Sequence, residues 1–265
     1  PNVALSPLIR GTSHIEEVGN CPLIFGVVPA QLMRSGLTQL AEHLQSPPSL
    51  VLCAKGIEKD TGRLMTDVLE ETIPGTRAVV LSGPTFAGEV ALGLPTAITL
   101  AAKDSNDASY VAKIIGGAQF RTYVSDDPIG AQVAGATKNV LAIACGIAEG
   151  KSLGQNAIAA IITRGIAEIG RLTAALGGSA ESMMELAGVG DVVLTCTSSQ
   201  SRNFSFGCHV GREQTPISAL IKSSGTVEGF GTAASIAYLS QTLQIDMPIM
   251  QAVACLLYTS DAADE

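Results

Sequence analysis

Lys138 is the only formally charged residue between Pro128 and Ala148, in a stretch built mostly from Ala, Gly, Ile and Val. An ammonium in such surroundings loses solvation free energy unless it has a partner or a task. Ile129, Val133, Ala136, Val140, Ile143 and Ile147 recur at helical spacing and form one apolar stripe, with Asp126 or Asp127 available as a cap and Pro128 in the first turn. Lys138 points away from that stripe. Its own face carries Ala131, Ala134, Gly135, Ala142 and Cys145, so both sides of the helix are expected to pack against protein. The plain alternative is a lysine that snorkels out of a crowded interface.

Other chemistry-bearing residues follow short apolar runs. Lys55 comes just after Ser49–Ala54 and could hold a phosphate or polarise a carbonyl, although a lysine at a strand end is often only solvated. Gly83-Pro-Thr-Phe-Ala87 opens a short helix whose free backbone N–H groups at Thr85 to Ala87 could face a cofactor; a plain turn is the alternative. Gly188-Val-Gly-Asp191 leads into a helical run that sets Thr195 on the same face as Asp191, which would otherwise be an ordinary cap. Arg202 offers a planar fork suited to a phosphate, beside the amide of Asn203, against the reading of a surface arginine. Val227-Glu228-Gly229 carries less, because Glu before Gly is commonly a solvated turn.

The elements that must position these groups are of two kinds. Apolar runs at 22–28, 49–54, 78–82, 96–101 and 119–124 alternate with helical stretches, the signature of a mostly parallel sheet wrapped by helices. In such a sheet ligands sit beyond the carboxyl ends of the strands, where Val28-Pro29-Ala30, Lys55 and Gly83 fall. From Asp126 onward long Ala/Gly/Ile/Leu segments of helical period replace the strands, so the boundary is expected at 125/126. Residues 1–50 contain no G-x-G-x-x-G; Gly229-Phe-Gly-Thr-Ala-Ala234 matches the related pattern by letters only, with no strand before it.

Composition narrows the functional classes. With 46% hydrophobic and 15% charged residues the 265-residue chain can bury a large core, and its formal net charge of −8, 4% aromatics and absence of Trp argue against a nucleic-acid partner. No uninterrupted apolar run suggests a membrane span, and neither the three histidines nor the six scattered cysteines have metal-ligand spacing. No metal is expected. The cysteines suit reduced thiols in the cytoplasm.

Taken in order, Ala54-Lys-Gly-Ile-Glu58, Leu81-Ser-Gly-Pro-Thr-Phe-Ala-Gly-Glu-Val90, Gly135-Ala-Thr-Lys-Asn139, Ile162-Thr-Arg-Gly165, Gly188-Val-Gly-Asp191, Leu194-Thr-Cys-Thr197, Ser201-Arg-Asn203 and Val227-Glu-Gly229 closely resemble the bacterial NAD(P)-dependent glycerol-3-phosphate dehydrogenase family, from Pro1 to about Leu257. The resemblance implies an oxidoreductase moving a hydride between NAD or NADP and the dihydroxyacetone phosphate/glycerol 3-phosphate pair, feeding glycerophospholipid synthesis. It implies catalytic roles for Lys138, Lys55 and Asp191, and substrate contacts from Lys55, Gly83, Thr85, Lys138, Asn139, Asp191, Thr195, Ser201, Arg202 and Asn203. Cofactor contacts are implied for Pro29, Lys55, Ala87, Arg202, Val227 and Glu228. A homodimer is a further expectation. As hydride reaches the carbonyl carbon, Lys138 would give the growing oxyanion a proton while Lys55 stabilises the same charge, and each ammonium would lower the other's pKa.

The expected architecture is α/β: an incomplete Rossmann-like, mostly parallel sheet domain over 1–125, then an all-helical substrate and catalytic domain over 126–265. The first strand and glycine loop are expected upstream of Pro1, and 258–265 reads as foreign to the family. Two alternatives compete: another two-domain reductase, such as a hydroxy-acid dehydrogenase or ketopantoate reductase, and a catalytically dead folded fragment. The Ser-Arg-Asn and Gly-Val-Gly-Asp motifs favour the glycerol phosphate enzyme over the first.

Overall fold

A computed structural model of the chain describes residues 3–4, 6–212, 215–223 and 225–258; the expectation for 259–265 lies outside them. Five strands form one sheet: β1 (Leu23–Gly26), β2 (Ser49–Leu52), β3 (Arg77–Ser82), β4 (Thr96–Ala101) and β5 (Phe120–Ser125), in that spatial order. All pairs are parallel except β3/β4, which runs antiparallel with Leu81 opposite Leu100. The mostly parallel sheet anticipated from the apolar runs is therefore the one observed.

Burial on both faces explains the composition of the strands, since β2 is buried at every position. On one face α1 (Ala30–Ala41) and α2 (Met65–Thr72) pack Met33, Leu37, Leu40, Met65 and Leu69 against Leu50 and Leu52. Beneath the other face, α4 (Ser105–Ile115) sets Ala108 and Val111 against Val51, Val79 and Ile98. A short helix α3 (Ala87–Ala91) follows β3.

Beyond Ser125 the described chain is helical: α5 (Pro128–Gly150), α6 (Gln155–Ala175), α7 (Asp191–Thr197), α8 (Arg202–Gly211), α9 (Pro216–Lys222), α10 (Glu228–Thr242) and α11 (Pro248–Tyr258). Asp127, not Asp126, caps α5, accepting from Gly130 N at 2.8 Å; it also takes Ser179 N and the Ser182 hydroxyl, fixing where the helix enters the core. By length and mean hydropathy α5 could cross a bilayer, but 89% of its most apolar window is buried inside the fold. It is the central helix of the helical half, and no other helix among the described residues passes the same test.

Paired glycines let α8 lie directly on α5. Gly146 and Gly150 on α5 face Gly207 and Gly211 on α8; a Cβ built on Gly207 would sit 2.3 Å from Ile143 O, and one on Gly146 would collide with the Phe204 carbonyl. Neither contact can relax by moving a flexible side chain, because backbone meets backbone. The resulting approach brings the middle of α5, which carries Lys138 and Asn139, beside the start of α8 at Arg202 and Asn203. This G-x-x-x-G pairing was not read from the sequence, although its spacing was available there.

Overpacking of such a contact costs about 1–3 kcal/mol. Gly207→Ala is expected to lower unfolding free energy by that amount. Gly36→Ala, in α1 with no heavy atom near its built Cβ, should be neutral or stabilise by about 0.5–1 kcal/mol. Chemical denaturation of the two variants checks the contrast.

Candidate active site

Three elements deliver three charged groups to one point. Lys138 comes from the middle of α5, Lys55 from the loop after β2, and Asp191 from the first residue of α7. Asp191 is fully buried and lies between the two lysines: Lys138 Nζ donates to its Oδ1 at 2.5 Å and Lys55 Nζ to its Oδ2 at 2.9 Å. Lys138 also donates to Thr195 Oγ1 at 2.9 Å, and Lys55 to the Gly83 carbonyl at 3.3 Å. Thr195 in turn donates to Asp191 Oδ1.

The local backbone explains how Asp191 arrives. Leu186–Gly190 forms a widened turn in which Gly188 leaves the helical region, at φ −88° and ψ −108°, before α7 begins. Asp191 and Thr195 are then one helical turn apart on the same face, as their spacing anticipated. What the sequence did not reveal is that Asp191 bridges both lysines. A buried lysine with no acid on its own helix does demand one from elsewhere, but nothing local says which.

Charge and hydrogen-bond bookkeeping define what the cluster can do. One carboxylate between two ammoniums leaves net positive charge, suited to a phosphate ester or a developing oxyanion. An ammonium carries three N–H bonds; two on each lysine are taken, so each keeps one for a ligand oxygen. Burial first, then the neighbouring Lys55 charge, lowers the Lys138 pKa from its ordinary value to about 8, against the opposing pull of Asp191. Folding therefore disfavours its charged form: the cost is fully present below pH 8 and fades as pH rises toward the unfolded value of 10.5.

A second, amide-based network lies one residue along α5. Asn203 Nδ2 donates to Asn139 Oδ1 at 3.0 Å, Gly229 N donates to Asn203 Oδ1 at 3.0 Å, and Asn139 Nδ2 reaches Glu228 Oε2 at 3.5 Å. Glu228 is the first residue of α10, partly buried, with its carboxyl pushed up by burial and drawn down by Lys55, Arg202 and Lys138. The alternative of a solvated turn at this position does not hold: the glutamate belongs to the electrostatic surroundings of the lysines.

Other anticipated residues are placed less centrally. Ser201 caps α8 through Phe204 N, and Val227 is buried before α10. Asn203 turns inward, whereas Arg202 is exposed and lines a separate cavity of about 150 Å³ with Ser199, Gln200, Ser205, His209 and Ser223. Thr85 Oγ1 approaches the Gly83 carbonyl, and Ala87 starts α3, which Gln200 ties to the α7–α8 turn through Glu89.

The carboxyl ends of β1, β2 and β3 carry Val27 to Pro29, Lys55 and Gly83. The caps of α1 and α3, Pro29 and Phe86, make no side-chain cap bond, so backbone N–H groups at both helix starts are left for another acceptor. With exposed Val27 and Val28 beside them, these residues fit a flat aromatic ring and an anion of the kind a dinucleotide presents. Among the described residues no group of three or more His, Cys, Asp or Glu side chains is arranged to hold a metal ion.

Comparison with known proteins bears directly on this site. Residues 1–108 match the family model described as NAD-dependent glycerol-3-phosphate dehydrogenase N-terminus, and residues 127–265 match the corresponding C-terminus model. A glycerol-3-phosphate dehydrogenase (NAD(P)+) of Caulobacter vibrioides is 46% identical over 264 residues, covering 100% of this chain and 80% of the relative. The crystal structure of glycerol-3-phosphate dehydrogenase from Coxiella burnetii superposes with a TM-score of 0.95 at 34% identity, covering 98% of this chain and 80% of that one. The yeast enzyme from Saccharomyces cerevisiae shares the fold, with a TM-score of 0.86 at 24% identity, over 97% of this chain and 78% of that one.

Removing one member of a buried ion cluster leaves the remaining charges without compensation, at a cost of about 3–5 kcal/mol. Asp191→Asn is expected to lower stability by that order at pH 7. The loss should shrink toward pH 10, as Lys138 sheds its proton and no longer needs the carboxylate. Urea unfolding at the two pH values tests both the size and the sign.

Proposed function

The chain belongs to the NAD-dependent glycerol-3-phosphate dehydrogenase family, and we propose that it interconverts dihydroxyacetone phosphate and sn-glycerol 3-phosphate with NAD or NADP as hydride carrier. The observation that carries this reading is the pair of ammoniums, Lys138 and Lys55, each with one N–H still free and both held by one buried carboxylate. When bound, the nicotinamide supplies or takes the hydride; the protein supplies position and field.

In the reductive direction Lys138 donates its proton to the substrate C2 oxygen as negative charge grows there. Lys55 places its remaining N–H against the same oxygen. Asp191 and Thr195 keep Lys138 aimed and lower the free energy of its charged form, so that it can recover a proton after turnover. In the oxidative direction neutral Lys138 accepts the hydroxyl proton, which its pKa near 8 permits close to physiological pH. Arg202, with Asn139, Ser201 and Asn203 around it, takes the substrate phosphate, and Gly83 and Thr85 border the substrate. Pro29, Lys55, Ala87, Arg202, Val227 and Glu228 line the cofactor.

In this reading residues 1–125 form the dinucleotide half and 126–265 the substrate half. The two cores on the faces of the sheet are built from residues of 1–125 alone, which supports that division, while Ile57 and Leu64 join the helical core and Val80, Ala101, Ala131 and Ala187 cluster across the junction. The product is a precursor of glycerophospholipids, and the protein acts in the cytoplasm, where its six free cysteines remain reduced. A homodimer is in keeping with the apolar cleft of about 290 Å³ lined by Ile147, Ile161, Ile249 and Val253.

The decisive assay follows absorbance of NADH or NADPH with dihydroxyacetone phosphate and the full-length protein. Robust oxidation is expected, and absence of turnover with both cofactors overturns the reading. Lys138→Ala should reduce kcat about 10²-fold or more, the scale of lost general acid–base catalysis. The two directions should show mirror-image pH profiles. Reduction is expected to fall and oxidation to rise as pH passes through about 8, because one needs Lys138 charged and the other neutral. Arg202→Lys keeps the charge but loses the fork, and should raise KM for dihydroxyacetone phosphate or the cofactor.

A further inference from the structure

Lys55 sits on a loop, residues 53–64, that has no regular structure of its own, yet its ammonium must meet Asp191 across the junction of the sheet and helical halves. Three contacts from α1 hold that loop. Gly56 lies against Ala30 so closely that a Cβ built on it would be 2.5 Å from the Ala30 Cβ. Gln31 brackets the next segment with both ends of its amide, Nε2 donating to Ile57 O at 2.9 Å and Oε1 accepting from Lys59 N at 2.9 Å. Arg34 grips Glu58 with a fork, Nε and Nη2 donating to its two carboxylate oxygens at 2.8 Å each.

Glu58 then closes the loop on itself: its N–H donates to Arg63 O, its carbonyl accepts from Gly62 N, and its carboxylate accepts from Thr61 Oγ1. The Glu58 side chain is 12% exposed and that of Arg34 37%, so the pair is partly open to solvent and its strength lies in the two-bond geometry of the fork. Hydrogen bonding from Arg34 holds its carboxyl below the ordinary range, so it stays charged. The apolar side chains of the same loop point elsewhere. Ile57 and Leu64 are buried in the core that contains Val133, Ala136 and Val140 of α5. The backbone of the loop is thus fastened to α1 while its side chains are seated in the helical half.

We infer that Gln31 and Arg34 are positioning residues for the reaction: they hold Lys55 at the point where Asp191 and the substrate oxygen meet it, and through α1 they tie that lysine to the strand end at Pro29. The inference rests on the role given to Lys55 under Proposed function. Without the clamp a loop of this length samples many conformations. An ammonium displaced by about 1 Å forfeits much of its contribution.

The test is a double-mutant cycle in the full-length enzyme, with dihydroxyacetone phosphate as substrate. Gln31→Met removes both amide bonds from an exposed helical position without shortening the side chain, so thermal unfolding should be nearly unchanged; Arg34→Gln removes the fork. Each is expected to lower kcat/KM by about 10-fold. In a Lys55→Ala background neither should add more than about 2-fold, because the group they place is gone. Both single variants should also move the alkaline limb of the reductive profile upward, since Lys55 is the neighbour whose charge lowers the Lys138 pKa against the pull of Asp191. Unchanged kcat/KM in the single variants, or a full multiplicative loss in the Lys55→Ala background, overturns the inference. Wild-type kcat/KM in Lys55→Ala alone overturns the reading of Lys55 itself, and the inference with it.

Discussion

One carboxylate shared by two ammoniums is the interaction on which the rest of the structure depends. Asp191 is wholly buried, and so nearly is Lys138; a charge in such a place is costly without an opposite charge beside it. The cluster is not neutral, however, because Lys55 adds a second positive charge to the same carboxylate. That excess is destabilising for the empty fold and useful for an anionic substrate. Burial first, and this excess charge second, lower the pKa of Lys138.

Such a cluster requires backbone precision from elements far apart in the chain. The glycines along the α5–α8 contact set how deeply the two helices approach, and the widened turn at Gly188 sets where α7 starts. Both features remove side chains where volume would hold the groups apart. Asn139, Asn203 and Gly229 then join α5, α8 and α10 by hydrogen bonds whose donors and acceptors are mutually satisfied. Stability and site geometry are consequently hard to separate in the helical half, where the residues that pack the helices are the neighbours of those that bear the charges.

Contacts across the two halves follow the same logic. Lys55 and Gly83 come from strand ends, Lys138 and Asp191 from helices, and the loop carrying Lys55 has its backbone on α1 and its apolar side chains against α5. Gln132 adds a further link, accepting from Thr66 N at the start of α2 and donating to the Thr66 hydroxyl. A site divided in this way is formed only when both halves are in register.

Much of this was legible in the sequence. Apolar runs of four to six residues separated by helical periods specify a buried, mostly parallel sheet, since only strands covered on both faces read that way. The isolation of Lys138 marked it because an uncompensated ammonium in an apolar helix is physically improbable, and Asp191 and Thr195 were paired by helical spacing alone. Tertiary structure decided the remainder. Asp191 is 53 residues from Lys138 and 136 from Lys55, and no local propensity encodes a contact at such separations. The burial of Glu228 comes from other helices and is not visible locally, and Asn203 is buried while Arg202 beside it is exposed because successive residues at a helix start face different directions. Local periodicity determines which face of an element is apolar, whereas the meeting of charged groups depends on how those faces pack.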